Sequence, residues 1–153
     1  MVLFPEELKV SKSMKQILKK GNFKVTFNQN FEQVIRTCKT IYREGQRGTW
    51  ITDEMEEAYI NLHNLGHAKS VEVWLDNELV GGLYGIDLGY VFCGESMFSK
   101  VSNASKIAFI YMVKKLKKEN YQLLDCQVYN GHLESLGAKE IPRVEFLKYL
   151  QTL

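Results

Sequence analysis

The sequence predicts an α/β protein, of the α+β kind, in which a mixed β-sheet carries helices on both faces. Three observations support this prediction. Helical patterns come before and after a block of strand patterns over residues 71–93. The hydrophobic fraction of 45% and the charged fraction of 25% are typical of a globular protein. The length of 153 residues favours one domain, which we assign to residues 1–153.

The first part of the chain predicts a helix, a strand and two further helices. Residues 11–20 form a helical pattern that ends before a glycine, a common C-terminal signal. Alternating Phe and Val over 23–27 predict a strand. Helices over 30–42 and 53–66 each begin with Asn or Asp followed by Gln or Glu three residues later, which is the capping-box pattern. The polar segment 43–49 between them predicts a loop.

The hydrophobic period changes from helical to alternating after residue 66. Strand patterns over 71–75, 79–86 and 90–93, with an Asp-Asn turn at 76–77, predict an antiparallel meander. The remaining predicted elements are a long helix from Asn103, a strand over 123–128, a short helix over 130–136 and a terminal helix over 143–150.

Composition and spacing disfavour several classes of protein. The formal net charge of +2 does not by itself predict nucleic-acid binding. The three cysteines, Cys38, Cys93 and Cys126, cannot all pair within one chain and lack the spacing of metal ligands, so reduced thiols are expected. The longest apolar run, 107–113, is too short to cross a bilayer, and no signal peptide is recognisable. The sequence therefore predicts a cytoplasmic protein without a membrane segment, a metal or a cofactor.

Two acidic motifs predict a functional site. Glu95 lies among small, aromatic and thioether residues over 92–100, where a carboxylate requires a cationic partner. Asp125 and Gln127 are two residues apart on a predicted strand, so their side chains are expected on one face. We expect two carboxylates, one amide and an apolar pocket to converge in one cleft.

Long, ordered segments of the chain resemble the leucyl/phenylalanyl-tRNA–protein transferase family. They cover residues 48–52, 66–74, 79–85, 92–99, 103–106, 125–128 and 135–138. The stretch from Asp125 to Ala138 also resembles the end of the acetyltransferase-like (GNAT) fold. Family members usually begin with a tryptophan-rich segment that would end where Met1 stands, so this chain is expected to be a short or truncated form with altered tRNA affinity.

The resemblance implies a GNAT fold and a specific transfer reaction. Leucine or phenylalanine, with methionine as a further candidate, would move from aminoacyl-tRNA to the N-terminal amine of proteins that begin with Lys or Arg. This marks the acceptor for degradation by the N-end rule pathway. The implied partners are the charged tRNA and the acceptor protein.

Roles for individual residues follow from this resemblance. Asp125 and Gln127 would be the catalytic pair. An amide is not a base near pH 7, so we interpret Asp125 as holding Gln127, which accepts a hydrogen bond from the incoming amine. Glu95 would bind the cationic end of the acceptor, and Trp50 would stack on the terminal adenosine of the tRNA. The donor side chain would enter a pocket formed by Leu83, Phe92, Gly94, Met97 and Leu124.

Several of these residues are also compatible with a purely structural role. Three lysines with helical spacing, Lys12, Lys15 and Lys19, could contact phosphates of the acceptor stem, or could be a solvated helix face. The Asp–Gln pair could be structural, and the apolar residues could be ordinary core. Leu124 and Asp125 point to opposite faces of a regular strand, so both serve one site only if the strand bulges or the pocket wraps its edge.

Two further functions fit the same fold. One is an acyl-CoA-dependent N-acetyltransferase, although segment 98–108 lacks the glycines that bind a pyrophosphate in such enzymes. The other is a non-catalytic module that binds tRNA or N-terminal degradation signals. A Cys126–His132 nucleophile pair has no further support in the sequence.

Overall fold

The computed structural model describes residues 1–42 and 48–151, and part of the predicted loop over 43–49 lies outside these ranges. The strands are β1 (Val2–Leu3), β2 (Lys24–Phe27), β3 (Ala68–Leu75), β4 (Glu78–Asp87), β5 (Val91–Ser99) and β6 (Leu123–Asp125). The α-helices are α1 (Lys12–Lys20), α2 (Phe31–Thr40), α3 (Asp53–Asn64), α4 (Ala104–Lys118), α5 (Gly131–Glu134) and α6 (Arg143–Leu150).

The described strands form one six-stranded sheet in the order β1-β6-β5-β4-β3-β2. Neighbouring strands are antiparallel except β5 and β6, which are parallel. A long connection that contains α4 links β5 to β6, as a parallel pair requires. The predicted mixed sheet is therefore confirmed.

Local capping residues decide where the helices begin and end. The Ser11 side chain accepts a hydrogen bond from the third residue of α1, and Gly21 ends that helix in the left-handed conformation. Asn30 caps α2 as predicted. The predicted cap of α3 is wrong by one residue, because Thr52 rather than Asp53 accepts the backbone N–H at the start of that helix.

Each face of the sheet buries its own hydrophobic core. On one face, α4 and α1 pack over alternating strand residues such as Val71 and Leu83. On the other face, α2 and α3 pack over the intervening residues, which include Tyr84 and Phe98. Because alternate residues of a strand point to opposite faces, this division follows from the observed register. The predicted helices on both faces are confirmed, and we call the two sides the α4 face and the α2/α3 face.

The β5–β6 region differs most from the sequence prediction. The strand predicted to end at 93 continues to Ser99, whereas the strand predicted over 123–128 ends at Asp125. Pairing between β5 and β6 begins at Val91–Leu123 and stops at Cys93–Asp125. Among the described strands, none pairs with this side of β5 beyond residue 93, so the sheet opens a gap there.

Two further features shape this gap. Gly94 pairs with Gly85, but Ser96 pairs with Tyr84, so Glu95 is the extra residue of a β-bulge. The chain leaves β6 because Gln127 adopts a left-handed conformation with φ of 62°. Strand β1, which sequence patterns did not predict, lies against β6 as the edge of the sheet.

Candidate functional site

A cavity of about 250 Å³ lies at the gap between β5 and β6. Its walls come from β4, from β5 and β6 with the segment that follows β6, from α4 and α5, and from the segment before α3. The lining residues are Trp50, Leu83, Tyr84, Phe92, Gly94, Glu95, Ser96, Met97, Phe109, Leu124, Cys126, Gln127, Val128 and Leu133. All five residues predicted for the donor pocket are among them, together with Trp50, Glu95 and Gln127.

The apolar part of the cavity belongs to the α4 face. Leu83 and Met97 are directly opposite on β4 and β5, so their side chains share that face. Phe92 and Leu124 are partners on β5 and β6, and both belong to the core under α4. Phe109 of α4 joins them. This part of the cavity can enclose an aromatic side chain, or an aliphatic one that is not branched at Cβ.

The polar part of the cavity belongs to the α2/α3 face. Asp125 follows Leu124 on β6 and pairs with Cys93 on β5. Because successive residues of a strand point to opposite faces, the Asp125 side chain lies on the face opposite Leu124. Glu95, at the bulge, lies beside the α3 side chain Tyr59. Because the two strands separate at this point, one cavity reaches both faces. The cavity therefore reaches Glu95 on the face opposite Leu124, whereas Asp125 stays outside its lining.

Asp125, Gln127 and Glu95 form a chain of hydrogen bonds. Oδ1 of Asp125 accepts a bond of 2.8 Å from the backbone N–H of Gln127. Nε2 of Gln127 donates to Oε2 of Glu95 at 3.3 Å. Asp125 thus holds the backbone of the turn rather than the amide side chain, and it is not itself among the lining residues. The expectation that Asp125 and Gln127 share a strand face is wrong, because Gln127 lies beyond the end of the strand.

The first residues of the chain brace this turn from the other side. The backbone N–H of Cys126 donates to the carbonyl oxygen of Met1 at 2.9 Å. The Met1 nitrogen donates to the carbonyl oxygen of Gln127 at 2.7 Å. Backbone bonds on both sides therefore fix the segment that carries the Gln127 side chain.

Trp50 belongs to an aromatic wall beside Glu95, whose other members, Tyr59 and Tyr84, the sequence patterns did not indicate. Trp50, which is 47% exposed, contacts Tyr59 edge to face with ring centroids 6.5 Å apart, and Tyr59 contacts Tyr84 in the same way at 5.2 Å. Burial and the negative charge of Glu95 raise the pKa of the Tyr59 phenol above its usual value. The helical position of Tyr59, two turns after Thr52, gave no sign that it faces this carboxylate.

The two cysteines near the site are held in the thiol form. Burial, with smaller contributions from Asp125 and Glu95, raises the pKa of Cys93 to about 11. Burial and the charge of Asp125 raise the pKa of Cys126 to about 12. Because the thiolate is the nucleophilic form, neither sulfur is activated for attack near neutral pH. This geometry gives no support to a Cys126–His132 nucleophile.

The three predicted tRNA-binding lysines lie apart from the cavity. Lys12, Lys15 and Lys19 are exposed on α1, whose buried Met14 packs into the core of the α4 face. Trp50 lies on the other face, through its contact with α3. The described structure therefore does not bring these lysines together with Trp50.

None of the helices in the described ranges is long and apolar enough to span a bilayer.

Two residues of the apolar lining were also missed. Phe109 lies within the apolar run of α4, and Leu133 lies on the short helix α5. Each was expected to lie in or near a helix, but an apolar helical residue usually faces an ordinary core. No local signal distinguishes one that faces a cavity.

The fold is similar to that of solved acetyltransferases. The structure of an aminoglycoside acetyltransferase from an uncultured soil metagenomic sample, in complex with sisomicin, matches with a TM-score of 0.61 at 14% sequence identity. The match covers 80% of this chain and 93% of that chain. These values define the chain as a protein of the GNAT-like α/β class, which confirms the predicted fold.

Sequence comparison identifies the family within this class. The sequence model of the leucyl/phenylalanyl-tRNA protein transferase family matches residues 2–151. The chain is 68% identical over 152 residues to the leucyl/phenylalanyl-tRNA–protein transferase of Flavobacterium johnsoniae, and 62% identical over 151 residues to that of Flavobacterium psychrophilum. Each alignment covers 99% of this chain and 72% of the relative. The chain therefore belongs to the leucyl/phenylalanyl-tRNA–protein transferase family of aminoacyltransferases.

Proposed function

We propose that this chain transfers leucine or phenylalanine, with methionine as a further donor, from aminoacyl-tRNA to the N-terminal amine of proteins that begin with Lys or Arg. The transfer would mark those proteins for degradation by the N-end rule pathway. The observation that carries the proposal is the cavity, in which an apolar lobe adjoins a hydrogen-bonded Glu95–Gln127 pair. We further propose that residues 1–153 act as one domain in the cytoplasm, where charged tRNA is available.

The apolar lobe suits the side chain of the donor amino acid. Leu83, Phe92 and Phe109 would surround the donor side chain with one branched aliphatic and two aromatic side chains. Met97 adds a flexible thioether that can pack against flat or branched groups. Burying a leucine or phenylalanine side chain there would contribute about 1.5–3 kcal/mol. A Cβ at Gly94 would lie 3.4 Å from the carbonyl oxygen of Asp125 and 3.8 Å from Leu124, so a larger side chain there would extend into the gap between β5 and β6.

The polar part of the cavity suits the acceptor amine. Because Nε2 of Gln127 is committed to Glu95, the amide oxygen remains to accept a hydrogen bond from the neutral amine. The amine nitrogen forms the new bond to the ester carbonyl carbon, and the bond from that carbon to the ribose oxygen breaks. The proton lost by the nitrogen passes to the ribose oxygen. Asp125 is a positioning residue that keeps the Gln127 turn in place.

Alignment supplies most of the catalysis in this scheme. The aminoacyl ester is already activated, and holding two reactants in attack geometry lowers a barrier by about 7–11 kcal/mol. No protein nucleophile is required, in agreement with the raised pKa values of Cys93 and Cys126. Glu95 would pair with the lysine or arginine side chain of the acceptor through a charge-assisted hydrogen bond. Its bond to Gln127 can remain, because a carboxylate accepts several hydrogen bonds at once.

Recognition of the tRNA would use Trp50 for the terminal adenosine, by stacking worth about 1–3 kcal/mol. Lys12, Lys15 and Lys19 would contact phosphates farther along the acceptor stem. The stem would then have to pass around the sheet, from Trp50 on the α2/α3 face to α1 on the α4 face. Phosphate contacts predict that affinity for tRNA falls as salt rises, and that each lysine removed makes this dependence less steep.

An acyl-CoA-dependent reaction has less support. The segment that leads into α4 has no glycine, and two N–H groups of the first turn are already bonded within the protein. The Ala104 N–H donates to the carbonyl oxygen of Val101 at 3.2 Å, and the Ser105 N–H donates to Oγ of Ser99 at 3.1 Å. These groups are therefore less available to a pyrophosphate.

One assay separates these functions. The protein is given leucyl-tRNA, phenylalanyl-tRNA or acetyl-CoA, with peptides that begin with Arg, Lys or Glu. We expect leucine and phenylalanine to appear on the Arg and Lys peptides alone. Acetylation without aminoacyl transfer, or tight binding of charged tRNA without transfer, would contradict the proposal.

The role of Glu95 is tested in the same assay. Glu95→Gln removes the charge but keeps the size, so KM for the Arg peptide should rise about tenfold or more, while KM for the charged tRNA changes little. Glu57→Gln, which removes an exposed carboxylate from α3, is the matched control. An unchanged acceptor KM in Glu95→Gln would exclude this role.

A further inference from the structure

We propose that Val128 and Tyr129 form an apolar shelf that binds the side chain of the second residue of the acceptor polypeptide. The two side chains are 78% and 58% exposed, and they follow Gln127 directly in the chain. Val128 also lines the cavity. This inference deepens the proposed function and rests on it, because it requires the acceptor amine to lie at Gln127.

The shelf is rigid although it is exposed. On one side, the Gln127 turn is fixed by its bonds to Asp125 and Met1. On the other side, the Asn130 side chain caps α5 by accepting the backbone N–H of the second residue of that helix at 2.9 Å. The Tyr129 hydroxyl donates to Oε2 of Glu134 at 2.8 Å, which limits rotation of the ring. A bound side chain would therefore order little additional structure.

The position of Val128 and Tyr129 beside the site distinguishes them from apolar residues that are exposed by chance. Single exposed apolar residues are normal on a protein surface. Here two of them are adjacent, held in place and continuous with the rim of the site. If the acceptor amine lies at the amide of Gln127, the next Cα of the acceptor is about 3.8 Å from the first. The second side chain then falls within reach of Val128 and Tyr129.

The charge around the shelf favours a peptide over nucleic acid. The hydrogen bond from Tyr129 to Glu134, and the charges of Glu134 and Glu140, raise the pKa of the Tyr129 phenol. Glu95 lies beyond Gln127 on the cavity side. A phosphodiester would be repelled by these carboxylates, whereas the cationic end of a basic peptide would be attracted. The shelf should therefore prefer a leucine or phenylalanine at the second position and disfavour an aspartate.

Two peptides that differ only at the second residue test the inference. Transfer of phenylalanine to a peptide that begins Arg-Leu is compared with transfer to one that begins Arg-Gly. The unmodified protein should show a kcat/KM about fivefold to tenfold higher for Arg-Leu, the size expected from burying part of a leucine side chain. Tyr129→Ala should reduce this ratio toward one, while transfer to Arg-Gly stays within about twofold of the unmodified protein. Val128→Ser should also reduce the ratio, and it is judged by the ratio alone because Val128 lines the cavity.

Two controls separate the shelf from unrelated effects. Val144→Ser alters a residue that is 72% exposed on α6, and should leave the ratio unchanged. Tyr129→Phe keeps the ring but removes the bond to Glu134, and should keep most of the preference. Because all three side chains are exposed, these variants should fold as the unmodified protein does.

Three outcomes would overturn the inference. The first is an equal kcat/KM for the two peptides in the unmodified protein. The second is a ratio that Tyr129→Ala leaves unchanged. The third is a rise in KM for phenylalanyl-tRNA in Tyr129→Ala without a change in the peptide ratio, which would assign the shelf to tRNA. Failure of the unmodified protein to use either peptide would instead refute the proposed function, and the shelf with it.

Discussion

Replacing Asp125 with alanine tests how this carboxylate supports the site. Oδ1 of Asp125 accepts the backbone N–H of Gln127 at 2.8 Å, and Gln127 has a left-handed φ of 62°. A left-handed conformation costs a residue with a side chain about 1–2 kcal/mol. The hydrogen bond to a charged acceptor, worth about 1.5–3 kcal/mol, offsets that cost. Without it, the backbone bonds to Met1 remain, but the conformation that presents Gln127 to the cavity should be less populated.

The expected loss of activity follows from these two terms. Loss of about 2 kcal/mol from the productive turn corresponds to a fall of about 30-fold in kcat/KM, since each 1.36 kcal/mol is tenfold. Asp125→Asn keeps an oxygen that can accept the same bond, so its kcat/KM should fall by no more than about fivefold. The contrast between the two variants separates hydrogen-bond acceptance from negative charge.

The assay is transfer of phenylalanine from charged tRNA to a peptide that begins with Arg, with the melting temperature of each variant measured alongside. Glu57→Ala, which removes an exposed carboxylate from α3, is the matched control and should retain activity. Unchanged activity in Asp125→Ala would refute the reasoning. So would equal losses in Asp125→Ala and Asp125→Asn, because charge rather than the hydrogen bond would then be responsible.

Three further predictions concern the surroundings of the site. The pKa values of Cys93 and Cys126 are raised to about 11 and about 12. Both thiols should therefore react with iodoacetamide near pH 8 far more slowly in the native protein than in the unfolded chain. Equal rates in the two states would contradict the raised pKa values. Gly85→Ala should lower the melting temperature by about 10 °C or more, because the added Cβ would lie 2.1 Å from the carbonyl oxygen of Cys93. An unchanged melting temperature would show that β4 and β5 can move apart without cost. Glu72→Ala should reduce the free energy of unfolding in urea by about 3–5 kcal/mol, since this fully buried carboxylate accepts hydroxyl hydrogen bonds at 2.6 and 2.5 Å. Glu72→Gln should cost less, and a loss below about 1 kcal/mol in Glu72→Ala would be inconsistent with that network.

The elements that the sequence predicted well depend on contacts within a few residues. Gly21 ends α1 in a left-handed conformation, and Asn30 caps α2, as their residue types imply. The shift of the α3 cap from Asp53 to Thr52 is also local, because two adjacent residues could each accept the same N–H. Nearby geometry decides such competition, and the pattern of residue types alone does not.

The elements that it predicted poorly depend on distant contacts. Strand β1 has only two residues and forms through pairing with β6, more than a hundred positions away. Strand β5 continues through Glu95, where the bulge breaks the alternation that a strand pattern requires. Strand β6 ends early because Gln127 turns away from the sheet.

The composition of the candidate site followed from residue types and from the family resemblance. The aromatic and thioether residues around Glu95, and the acid and amide at 125 and 127, indicated which side chains belong together. Phe92, Met97 and Gln127 line the cavity with Glu95, whereas Phe98 and Asp125 are not among the lining residues. Tyr59 and Phe109 were missed, because their helical positions resemble those of ordinary packed residues.

The sequence by itself determined the fold class, the end of α1 at Gly21, the start of α2 at Asn30 and the chemical groups of the site, because residue type and short-range spacing govern these features. Only the tertiary structure decided that β5 and β6 separate after Cys93, so that one cavity reaches both faces of the sheet. It also decided that Asp125 holds the backbone of Gln127 rather than its side chain. Both features depend on strand register and on a left-handed turn, which arise from contacts between segments far apart in the chain.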